Sequence, residues 1–140
     1  MALTDNQGRE RRNVLAERKY SGVIKTGAKI YMGALLMQNA AGTVLPCADS
    51  TTGKFFGLAL EECLTGNGTR RVECCDNVEI RIALKTSVTA GHANTIAYAF
   101  DDTTVTNLAT LGPQIGTITE RTAANDGWVM LRQAVMAKGT

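Results

Sequence analysis

From Tyr20 onward the apolar residues come in short runs divided by turn-forming residues, which predicts a chain of short strands. The clearest run places Val78, Ile80, Ile82 and Leu84 on one face of a strand and Glu79, Arg81 and Lys85 on the other. Period two with one apolar side is a half-buried strand, so the three charged residues are expected to face outward. Ile96, Tyr98 and Phe100 repeat the scheme and are expected to meet the first apolar face inside one core. Asp101-Asp102 then reads as a solvated turn.

The remaining punctuation agrees. Gly27 and Gly33 bracket Ile30-Tyr31-Met32, and Ala34–Met37 is a short apolar run. Asn39–Gly42 reads as a hairpin turn into Thr43-Val44-Leu45, and Pro46 closes that strand or sits at a sheet edge. Phe55–Leu60 is an apolar strand, and Gly66-Asn67-Gly68 a turn. Ile115–Thr119 and Trp128–Leu131 are joined around Ala124–Gly127, where Asp126-Gly127 is a hairpin signal. Only residues 86–94 have room for a helical turn. The expected fold is all-β, a small single-domain β-barrel or sandwich of short strands with an extended N-terminal arm.

A chain of 140 residues, 44% hydrophobic, buries a core without disulfides or metal. It has no apolar run long enough to span a membrane, and its polar start is no signal peptide, so a soluble cytosolic product is expected. The net charge of +2 is carried by residues 1–20, where Arg9, Arg11, Arg12, Arg18 and Lys19 face Asp5, Glu10 and Glu17. The other 120 residues balance. The expected division is therefore a basic arm, 1–20, and a β-rich domain, 21–140. Such an arm suits an acidic protein surface better than nucleic acid, which asks for more phosphate contacts. Being polar, it should be dispensable for folding.

Catalytic patterns are absent from the sequence. His92, the one histidine, has no orienting neighbour and reads as a surface-loop residue. Thr51-Thr52-Gly53-Lys54 lacks the earlier glycine and the helix of a phosphate loop. Glu61-Glu62 and Asp101-Asp102 are adjacent pairs whose side chains diverge in a strand. Cys47, Cys63, Cys74 and Cys75 lack zinc-ligand spacing and are expected to pack as reduced apolar groups. No cofactor is expected, and no enzymatic activity.

The order of Gly33-Ala34-Leu35-Leu36, Ala41–Pro46, Phe56-Gly57-Leu58-Ala59, Arg71-Val72, Ala97–Asp102 with Thr104-Val105, Gly116 and Trp128-Val129 resembles the head-decoration, or capsid cement, proteins of tailed bacteriophages. The resemblance spans about residues 22–132. It implies a β-rich body on the outer surface of an assembled head, bound to the major capsid protein and stabilising the shell against internal DNA pressure. It also implies a homotrimer, made in the host cytoplasm and carried on the virion, with no membrane or direct nucleic-acid partner. Charge assigns capsid binding to the arm residues Arg9, Arg11, Arg12, Arg18 and Lys19, and outward position suggests Glu79, Arg81 and Lys85 as a subunit rim. Another virion β-protein of tail tube, head completion or minor capsid type is an alternative, as is a small ligand- or nucleic-acid-binding barrel.

Overall fold

The computed structural model describes residues 2–14, 16–48, 53–109 and 112–133. Among them the strands are β1 (Arg11–Arg12), β2 (Arg18–Val23), β3 (Leu35–Gln38), β4 (Val44–Pro46), β5 (Lys54–Ala59), β6 (Arg71–Asp76), β7 (Val78–Leu84), β8 (Thr95–Ala99), β9 (Thr104–Thr106), β10 (Gln114–Ala123) and β11 (Asp126–Leu131). A 3₁₀ turn, Ala90–His92, lies within the segment where a helical turn was expected. The all-β expectation holds.

Strands β7, β11, β10, β8 and β9 pair in that order, each antiparallel to the next. A short parallel pairing, Ala83 with Thr104 and Leu84 with Val105, returns β9 to β7 and closes a five-stranded barrel. Val78, Ile80, Ile82 and Leu84 point into its core, where all four are at most 2% exposed. The second sheet runs β2-β6-β5-β3-β4, and a parallel bridge from Ile24 to Val44 ties its two outer strands. Pro46 accordingly sits on an edge strand, where its missing N–H is tolerated.

The second sheet contributes to a core on each of its faces. Leu35, Met37, Phe55 and Cys75 join the barrel core, while Leu36, Val44, Ala59 and Cys74 join Ile24 and Ile30 in a second core. Cys74 and Cys75 thus serve different cores because strand neighbours point apart. Gly22 is required in the second: a Cβ there would lie 2.7 Å from the Phe56 ring and 2.8 Å from a Val44 methyl. Cys47 and Cys75 lie in the shared core, Cys63 is half-buried, and all four cysteines are free thiols.

One expectation about strand faces is overturned, and the position of one hairpin turn is refined. In β8 the core residues are Ala97 and Ala99, both fully buried, whereas Ile96 is 48% exposed and Tyr98 and Phe100 are half-buried. The barrel lumen is narrow, and Ile80, Ile115, Ile118 and Leu131 already fill it, so β8 contributes methyl groups. The hairpin between β10 and β11 turns on Ala124-Asn125, with Asn125 left-handed at φ 63°, and Asp126-Gly127 opens β11. Asn tolerates that conformation through its short polar side chain.

Candidate interaction surface

The arm lies on its own body. Strand β1 adds to the edge of β7 that β9 leaves unpaired, with Arg11 opposite Ile80 and Arg12 opposite Glu79. Beside it the Arg81 N–H donates to the Glu10 carbonyl at 3.0 Å. Further up, Gln7 N–H donates to Met32 O at 2.8 Å, and a side chain at Gly33 would run into the Gln7 carbonyl. Arg18, Lys19 and Tyr20 belong to β2, paired with Asp76, Cys75 and Cys74, so the body begins before residue 21. The arm is therefore seated on the protein's own strands, and the boundary expected at residue 21 falls inside β2.

Four of its five cations are engaged where they lie. Arg9 is half-buried, with Nε on Gly33 O and a terminal nitrogen on Thr103 Oγ1, both at 3.0 Å. It faces Asp102 and Asp101, whose fields offset the burial that lowers its pKa. Arg11 pairs with Glu17 at 2.7 Å. Arg12 donates to Glu79 at 3.1 Å and Glu120 at 2.8 Å, and its guanidinium lies 4.1 Å over the Trp128 ring. Arg18 grips Asp76 through two bonds of 3.0 and 2.8 Å. Lys19 is exposed and, among the described residues, makes no ion pair. The structure does not gather the five cations into one outward patch.

Of the expected rim, Arg81 alone matches its placement. It is exposed and holds Asp126 through bonds of 2.9 and 2.6 Å, with Glu10 at 3.6 Å. Glu79 points out of the barrel as its parity requires, but it is only 2% exposed because the arm covers it. Its carboxylate accepts bonds from Arg12, Asn13 and the Thr119 hydroxyl. Burial pushes that carboxyl up, yet these donors outweigh it and hold it below the usual glutamate range. Lys85 is half-buried, its ammonium 4.1 Å over the Phe100 ring.

The Asp101-Asp102 pair, expected as a solvated turn, is buried instead. These residues are 8% and 2% exposed under the arm. Asp102 accepts the Leu3 N–H at 2.9 Å, and Leu3 packs on the second core. Burial pushes the Asp102 carboxyl up, with the Asp101 charge adding to the rise and the Leu3 N–H and Arg9 opposing it. Between arm and barrel remains an open cleft of about 330 Å³ lined by Gln7, Arg9, Glu10, Arg81, Thr103 and Asp126.

His92 caps its own turn: Nδ1 accepts the Thr89 N–H at 2.9 Å, and Nε2 meets the Asn107 amide at 3.1 Å. Residues 51 and 52 of the phosphate-loop look-alike lie outside the described residues. Among the described residues no group of three or more His, Cys, Asp or Glu is placed to hold a metal ion. No helix among them is long and apolar enough to cross a membrane. Sequence reasoning passed over Asp76, Glu120 and Asp126, the acids that complete the network. Asp76 had a signal, since it shares parity with the buried Val72 and Cys74. No family model matches the sequence, and no curated protein matches it significantly.

Proposed function

We propose that the chain is a capsid decoration protein that binds the outer surface of an assembled phage head and stabilises it. The supporting observation is that every segment carrying the resemblance falls in a β-strand or in a turn or bend adjoining one. Gly33–Leu36 leads into β3, Ala41–Pro46 turns into β4, and Phe56–Ala59 is the body of β5. Arg71-Val72 opens β6, Ala97–Val105 spans β8 to β9, Gly116 is in β10, and Trp128-Val129 is in β11. The motif order is thus the strand order of one body.

A rigid body of this kind stabilises a shell by mass action. It binds the closed arrangement of capsid subunits and not the open one, which shifts the equilibrium toward closure. The partner in this proposal is the major capsid protein, with the decoration subunits arranged as homotrimers. An electron-microscopy reconstruction of particles containing the chain tests it. The expected result is density for the two-sheet body repeated symmetrically over the outer head surface. Density confined to the tail axis or to one vertex would overturn the proposal.

A further inference from the structure

The two loops that close one end of the second sheet carry charge of one sign. Residues 22–32 include Lys25 and Lys29, residues 64–72 include Arg70 and Arg71, and neither stretch contains an aspartate or glutamate. The loops are bound to each other. Gly27 N–H donates to Gly66 O at 2.9 Å, Gly68 N–H to Ile24 O at 3.1 Å, and Ile24 N–H to Arg70 O at 2.8 Å. Ile30 bridges Cys63 in antiparallel register, which sets Lys29 opposite Leu64. The Asn67 side chain accepts the N–H groups of Thr69 and Arg70, fixing the tip.

All four cations are exposed. Among the described residues Lys25, Lys29 and Arg70 enter no ion pair, and Arg71 donates only to Ser21. Of the flanking acids, Glu61 accepts the Glu73 N–H and Glu62 accepts from Asn6, while Glu73 is exposed on β6 at the border of the patch, two residues from Arg71. Leu64, 41% exposed, supplies an apolar group within the patch. Four of the arm's five cations are engaged within the protein, whereas Lys25, Lys29 and Arg70 stand on a braced scaffold with no ion pair among the described residues.

We infer that this loop end is the electrostatic docking face, and that its partner is an acidic protein surface. The inference rests on the decoration reading for the identity of that surface. A protein partner fits better than nucleic acid because the patch is small and offers an exposed leucine in place of a stacking aromatic. Charges at such a rim govern encounter and salt dependence, so the face should orient the body as it approaches the shell.

The experiment is co-sedimentation of the full chain with heads of the phage that encodes it, purified free of decoration protein, at low and high salt. Lys25→Glu/Lys29→Glu/Arg70→Glu is expected to fold with unchanged melting temperature and to bind heads about tenfold more weakly at low salt. Lys19→Glu is expected to bind as the wild type does. Lys25→Gln/Lys29→Gln/Arg70→Gln serves if the reversal variant does not fold. Wild-type binding that the triple substitution leaves unchanged would overturn this inference alone. Failure of the wild type to bind heads at any salt would overturn the decoration reading. Salt-sensitive binding of the wild type to a DNA duplex, lost in the triple variant, would assign the face to nucleic acid and overturn the choice of partner.

Discussion

Arg18 and Asp76 stand opposite each other in the register of β2 and β6, joined by two hydrogen bonds, with the carboxylate fully buried and the guanidinium partly exposed. The Gln133 backbone N–H adds a third contact to the same carboxylate at 3.3 Å. Removing the cation leaves a buried charge without its main partner. Arg18→Ala should cost about 3–5 kcal/mol in urea denaturation, and Arg18→Lys should recover only part of it, since a point ammonium cannot reproduce the fork. Equal stability of Arg18→Ala and the wild type would show that the pair is energetically idle.

The arm should act as a fold element. Glu79→Gln removes the charge that holds Arg12 and Asn13 and should loosen residues 3–12 by about 1–3 kcal/mol. Hydrogen exchange at the Arg81 amide, which donates to Glu10, reports the opening directly. Deleting residues 1–17 should lower the melting temperature well beyond this single change, because it also uncovers Asp102. A truncated protein as stable as the full chain would contradict the pairing of β1 with β7.

Two classes of carboxylate give opposing pH dependences. Asp102 has a folded pKa raised above the ordinary 3.8, so its contribution is fully present below that value and is lost as pH rises through the higher folded value. Asp126 is held low, chiefly by hydrogen bonding to Arg81, so its contribution is present above 3.8 and is lost as pH falls through the folded value. Asp102→Asn should therefore remove the decline on the neutral side and leave the acid limb in place. Denaturant midpoints from pH 3 to pH 8 read both limbs.

Thiol reactivity should rank the cysteines. Burial pushes Cys74 and Cys75 up to about 12, and it raises Cys47 as well. Native protein should label with a disulfide exchange reagent at the half-buried Cys63, and at the other three only after denaturation. Rapid labelling of Cys47 in the native state would contradict its place in the core.

Strand β8 offers a test of facing. Ala97→Leu should overpack the lumen and cost about 1–3 kcal/mol, whereas Ile96→Ser on the outside should change stability by no more than about 0.5 kcal/mol. A mirror-image result would restore the facing expected from residue size.

These cases show what was legible in the sequence and what was not. Alternation at Val78–Leu84 located β7 and its inner face because a strand half buried against a core has a strict period. The same logic failed at Ile96–Phe100, where lumen volume, set by strands distant in sequence, decided which parity goes inside. Glu79 was placed on the correct face, yet its burial depends on Arg12 and Asn13 arriving from 67 and 66 residues away. The arm read as lying outside the core because polar residues carry no periodic signal, although hydrogen bonds and ion pairs seat it on the body. Local pattern found most of the strands; the charged network, made of long-range pairs, had no local signature.

The edge of β7 is used twice over: Glu79 and Ile80 pair with the arm, and Ala83 and Leu84 pair with β9. An unoccupied strand edge is a template for another chain, and proteins held at high local concentration are the ones that suffer for it. By seating its own first residues there, the chain withholds that template from its neighbours. Losing the arm would thus lay that edge bare and favour edge-to-edge aggregation ahead of any loss of secondary structure.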